Sequence, residues 1–218
     1  MTVRHRFIWV ALFGIAFGFV EASVVVYLRS IYYPEGFTFP LKLMSNSHLV
    51  VELAREAATI LMLAAVGFLS GTRRWERFGY FIVGFGVWDF FYYVWLKVLL
   101  NWPSSLLDWD ILFLIPIPWV GPVIAPVLLS ILMIVCGYLI VVRMEEGKMF
   151  KPNSLSWSLA VGATLLILYS FVEDVGVTLH ATVPSAYGYE LLIAGLALFV
   201  ASFIVACKNP PVSGNEPI

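Results

Sequence analysis

Residues 7–28 read FIWVALFGIAFGFVEASVVVYL, a run in which Glu21 is the one charged side chain. At a rise of about 1.5 Å per residue, a helix of this run covers about 33 Å, enough to cross a hydrocarbon core of about 30 Å. A surface helix of a water-soluble protein would carry a polar face along its length. This run has none, so a bilayer is the solvent it suits. Its glutamate then sits where an isolated charge costs about 2.5–3.5 kcal/mol on insertion scales.

Five further stretches have the same character: Leu49–Ser70, Phe78–Leu100, Trp119–Val142, Trp157–His180 and Glu190–Cys207. Overall the chain is 61% hydrophobic and 12% charged, against about 25% charged in soluble domains. The expectation is an all-α polytopic bundle of six transmembrane helices forming one domain over residues 1–208. The tail 209–218 is polar and proline-rich and is expected to be disordered. The basic N-terminus resembles a signal peptide, but the apolar run behind it is too long and lacks a small-x-small cleavage site. It reads as a retained first span. Pro122 and Pro126 fall in the first turns of the expected fourth span, where a missing N–H is tolerated.

Charge sets the expected orientation. Nine of the 13 basic residues flank one side of the spans: Arg4, Arg6, Arg73, Arg74, Arg77, Arg143, Lys148, Lys151 and Lys208. Arg29, Lys42 and Lys97 lie on the other, and Arg55 lies within a span. The positive-inside rule then puts both termini in the cytoplasm. The segment between the third and fourth spans, NWPSSLLDWDILFLIPIP (101–118), is too apolar for a solvated loop and too proline-broken for a span. It is expected to be an interfacial or re-entrant segment capping the outer face, covered by protein or lining a cavity.

The net charge of −1 offers no field for nucleic acid, and neither a phosphate loop nor a dinucleotide fingerprint occurs. Cys136 and Cys207 form no C-x-x-C pair and read as small buried hydrophobes. The informative residues are the intramembrane acids Glu21, Glu52, Glu56, Asp89, Glu173 and Asp174. All are expected at the midplane or outward of it, which points to one shared site near the outer face.

Helical spacing refines this. Gly14, Gly18 and Glu21 share a face, and Gly-x-x-x-Gly permits close helix packing, so Glu21 should face the bundle interior. Glu52, Arg55, Glu56 and Thr59 form a polar stripe, which also suits a purely structural salt bridge. Asp89 shares a face with Tyr93, with Tyr92 beside it, and suits a proton relay, a cation ligand or a hydrogen-bonded helix lock. Glu173 and Asp174 point about 100° apart, so only one can easily address the bundle centre. With Arg55 as the only cation well inside the spans, and Lys97 and Arg29 at their outer ends, protons or a metal ion must complete the balance.

Carboxylates with His48 and His180 could serve a metal ion, but the Glu-x-x-His pattern of di-iron bundles is absent. Neither a nucleophile elbow nor a zinc-protease motif occurs. Asp108-Trp109-Asp110 reads as a turn and helix cap, or as two more carboxylates over the outer mouth.

The stretches FGFVEASVVVYLR, VELAREAA, VWDFFYYV and WDILFLIPIPWVGPVIAP are similar to those of a group of uncharacterised prokaryotic multi-pass membrane proteins. That resemblance covers the first four spans and implies a prokaryotic inner-membrane location, with no activity attached. Three functional expectations follow. The first is an outward-facing carboxylate pocket that binds a cation or exchanges protons, built on Glu21, Glu52, Glu56, Asp89 and Glu173. Arg55, Tyr92, Tyr93, Asp174, His48 and His180 would support it. The second is a structural subunit, homo-oligomeric or bound to another membrane protein, whose acids form a salt-bridge network. The third is a proton-coupled transporter of small solutes.

Overall fold

The computed structural model describes residues 2–37, 42, 45–114, 117–173 and 186–208. Among them are six helices and one short hairpin: α1 (Val3–Tyr32), α2 (Asn46–Ser70), α3 (Arg74–Leu100), β1 (Trp109–Phe113), β2 (Trp119–Pro122), α4 (Ile124–Glu145), α5 (Ser154–Val172) and α6 (Tyr189–Lys208). Five of the helices, all but α2, are long and apolar enough to cross a membrane. Their outward faces carry bulky apolar side chains, with Val98 67%, Leu165 63% and Ile193 64% exposed. Such surface is stable against lipid and not against water. The chain is a helical, multi-pass membrane protein.

The helices outrun the apolar stretches because hydropathy sees only the part in hydrocarbon. Thr2 caps α1 by accepting from His5 N–H, and Asn153 caps α5 by accepting from Ser156 N–H at 2.9 Å. At the start of α3, Glu76 accepts from Thr72 N–H at 3.0 Å and from the Thr72 hydroxyl at 2.7 Å. The helices thereby take in two acids, Glu76 and Glu145, that lie just outside the apolar stretches Phe78–Leu100 and Trp119–Val142. Glu76 is buried, and its oxygens satisfy orphan donors of a helix start.

α3 is the hub, packed against α1, α2 and α4. Glycines set the spacing. A Cβ on Gly18 would stand 2.8 Å from the Trp88 carbonyl oxygen, and one on Gly137 would stand 2.6 Å from the Gly79 carbonyl oxygen. α1 therefore rests on the backbone of α3, and α4 on its other side. α5 and α6 form a second pair, tied to the rest through β2 and through the end of α4, where Arg143 Nη2 donates to the Cys207 carbonyl at 2.8 Å.

The expected fourth span is corrected at its start. Trp119–Pro122 is not helix but β2, paired antiparallel with β1 in the register Trp109↔Pro122, Asp110↔Gly121 and Ile111↔Val120. Pro122 closes the strand, and only Pro126 lies in the first turn of α4. The segment expected to be interfacial or re-entrant is thus a hairpin folded back over one end of the bundle. Trp119 stacks on Phe171, and Trp109 meets Tyr187 edge-on. We call this the hairpin end and the opposite one the basic end.

Candidate functional site

The hairpin end holds a pocket of about 90 Å³ between α1, α2, α3 and β1, with largely apolar walls into which the charged residues Arg29, Glu52, Arg55, Glu56 and Asp110 are set. Depth follows from position in each helix. Glu21 lies about 5 Å, Glu56 about 3 Å and Glu52 about 9 Å from the midpoint of its helix, all toward the hairpin end. Asp89 lies about 3 Å from the midpoint of α3 in the same direction.

One cation serves two helices at the foot of this pocket. Arg55 pairs with Glu52 one turn earlier on α2, at 2.7 Å, and with Glu21 across on α1. Glu21 reaches it because Gly14 and Gly18 seat α1 directly on α3 and turn this face inward. Thr59 extends the polar stripe by donating to the Arg55 carbonyl at 3.1 Å.

Glu56 is used differently. Its two carboxylate oxygens each lie 3.0 Å from the Leu114 backbone N–H, at the end of β1. Among the described residues no ion pair includes Glu56, although it is buried. The hairpin is thereby docked on α2 by a carboxylate that also faces the pocket.

A second docking point went unrecognised in the sequence. Arg29, near the end of α1, donates to Asp110 at 3.0 Å, and its guanidinium lies 3.8 Å from the centre of the Trp102 ring. Burial pushes the Asp110 carboxyl up, against the opposing pull of the Arg29 charge and of hydrogen bonds from Ile111 N–H, Tyr93 and Arg29. Asp108, two residues earlier, has the expected turn role. It accepts from Ser104 N–H and the Ser104 hydroxyl, both at 2.8 Å. Burial acts to raise Asp108, but the donors of Ser104 and Ser105 and the Lys97 charge outweigh it and hold the carboxyl low.

Asp89 stands apart from the pocket, on the α3–α4 contact. Ser130 Oγ lies 2.6 Å from Asp89 Oδ2 and 2.7 Å from the Pro126 carbonyl oxygen. A hydroxyl has one proton to give, and an ionised carboxylate and a carbonyl both only accept. Both contacts are satisfied together when Asp89 carries a proton and donates it to Ser130, which donates onward to Pro126. Ser130 thus ties α3 to α4 at Asp89.

The remaining expected residues divide. Tyr92 and Tyr93 are buried, with ring centres 4.8 Å apart, and Tyr92 lines the pocket. His48 lies at the exposed start of α2, its Nδ1 2.5 Å from the Tyr32 hydroxyl. Glu173 follows α5 directly, exposed and close to Gly188, and is not among the residues lining the pocket. Asp174 and His180 lie outside the described residues. Among the described residues no three of His, Cys, Asp and Glu gather closely enough to hold a metal ion. No protein-family model, curated protein or solved structure matches this chain.

Proposed function

We propose that this chain is a six-span protein of a prokaryotic inner membrane, with the basic end and both termini cytoplasmic, whose hairpin-capped pocket exchanges protons with the outer side through Glu56. α2 supplies the sixth span. It packs antiparallel on α3, and its three charges lie within reach of α1 and the hairpin, which spares them from lipid.

The observation that carries the reading is Glu56 itself: a buried carboxylate, lining a cavity, with a backbone amide and no cation on it. Arg55 next to it is already shared by Glu21 and Glu52. A group in that position gains or loses a proton more readily than a paired one. The scattered donors favour a proton over a metal ion, since among the described residues no three ligands converge. Between the pocket and the basic end lies an apolar cluster of Val10, Tyr80, Val83, Val87 and Val141. Exchange therefore runs to the hairpin side, which disfavours transport across the whole bundle.

Infrared difference spectra between acid and neutral pH test this. A carboxylic C=O signal present in the native protein should vanish in Glu56→Gln, which keeps the oxygen that accepts from Leu114. Orientation is tested separately by labelling Ser105→Cys and Lys148→Cys from either side of sealed vesicles, which should react from opposite sides.

A second reading has its own support. Glu56–Leu114 and Arg29–Asp110 both pin the hairpin, so the acids also suit a structural subunit. In that case Glu56→Gln would leave the infrared spectrum unchanged.

A further inference from the structure

We propose that the crevice between the α3–α4 pair and the α5–α6 pair is a binding site for one acyl chain of an anionic phospholipid, with the headgroup at the basic end. The cavity measures about 350 Å³. That falls in the range where small-molecule sites occur, roughly 300–1,000 Å³. On α5 its wall runs from Ser156 to Phe171, about 22 Å at the helical rise. One leaflet's share of the hydrocarbon core is about 15 Å, so an acyl chain entering from the basic end fits within it.

The wall is dry by construction. Its hydroxyls are spent internally: Ser202 donates to the Ser156 carbonyl at 2.7 Å, Ser156 to the Asn153 carbonyl at 2.9 Å and Thr164 to the Ala160 carbonyl at 2.9 Å. The rest is apolar, including Ile140, Leu168, Phe199 and Phe203. A cavity that size without free polar groups does not hold water. Enclosed by membrane-spanning helices, it has hydrocarbon as its available filler.

Charge at one mouth selects the headgroup. Lys151 sits between the wall residues Phe150 and Pro152, and its N–H donates to the carbonyl of the wall residue Ala206 at 3.2 Å. Arg143 donates to the next carbonyl, that of Cys207, which Lys208 follows, and Arg74 adjoins the wall residue Trp75. Of the nearby acids, Glu76 serves the α3 cap, Glu146 and Lys148 neutralise each other at 2.7 Å, and Glu145 remains, against Arg74, Arg143, Lys151 and Lys208. Trp75 and Trp157 at this end suit the headgroup level.

Native mass spectrometry of the full chain in detergent tests the site, using phosphatidylglycerol and phosphatidylcholine with identical acyl chains. One phosphatidylglycerol should be retained over phosphatidylcholine by about 30-fold, the worth of two nearby cations at about 1 kcal/mol each. Filling the crevice with Ala160→Trp, or independently with Leu168→Trp, should abolish retention. Arg143→Gln with Lys151→Gln should equalise the two lipids while both still bind. Equal retention by the native protein and both filled variants would overturn the site. Equal affinity of the native protein for both lipids would overturn the headgroup assignment. A lipid-free dimer lost in both filled variants would show instead that a second copy covers the crevice.

Discussion

Replacing Arg55 by Met removes the one cation shared by Glu21 and Glu52, whose side chains are 12% and 7% exposed. The two carboxylates are then left together with little water. Breaking a buried ion pair by deleting one partner costs about 3–5 kcal/mol. A second route gives the same size. If one stranded glutamate takes up a proton at pH 7, the cost from its ordinary pKa of about 4.3 is about 3.7 kcal/mol. At pH 5 that proton costs only about 1 kcal/mol, so the penalty should shrink as pH falls. Equilibrium unfolding in mixed micelles, at both pH values, measures it. The triple variant Arg55→Met with Glu21→Gln and Glu52→Gln should recover most of the loss, because the uncompensated charges are gone. A cost below about 0.5 kcal/mol at pH 7, as for exposed pairs, or a triple variant no better than the single one, would refute the account of this triad.

Other expectations follow from single contacts. Asp89→Asn keeps a donor toward Ser130 and should cost less than about 1 kcal/mol, whereas Ser130→Ala strands the Asp89 proton and should cost about 1–3 kcal/mol in the same unfolding assay. Gly18→Ala places a methyl 2.8 Å from the Trp88 carbonyl oxygen. Backbone cannot yield there, so α1 must lift from α3, at about 1–3 kcal/mol. Asp110 is raised by burial, so the docked hairpin binds its proton more tightly than the undocked one. Docking is then strongest at acid pH and weakens as pH rises from about 3.9 toward the raised value. Arg29→Gln removes the opposing charge and should extend that weakening to higher pH, while Asp110→Asn should abolish it. Hydrogen exchange of the hairpin amides, corrected for intrinsic rates, reads this directly.

The helices were legible because lipid imposes long uninterrupted apolar runs. Their ends were not, because caps such as Thr2 and Glu76 are polar and lie outside hydropathy's reach. The fourth span was started too early for a physical reason. WVGP and the run that follows have the same apolar character, and only the pairing of β2 with β1 makes the first extended. The hairpin had a faint signal in WDILF, five residues rich in strand formers. The inward turn of Glu21 could be read from the spacing of Gly14, Gly18 and Glu21 on one face, whereas its partner Arg55 lies on another helix and is set by the packing. Asp110 could not be assigned, since nothing local tells it from Asp108. Arg29 and Asp110 are 81 positions apart, and only the folded hairpin brings them together. Likewise Glu173 reads like the other acids in sequence, yet at the end of α5 it is exposed and does not line the pocket.

The central claim is that Glu56 titrates in the pocket under the hairpin. Infrared difference spectroscopy of the native protein and of Glu56→Gln, between acid and neutral pH in the same vesicles, tests it most directly. The account predicts a carboxylic C=O signal in the native protein that is lost in Glu56→Gln and kept in Glu173→Gln. A spectrum without that signal, or one that Glu56→Gln leaves unaltered, would contradict it.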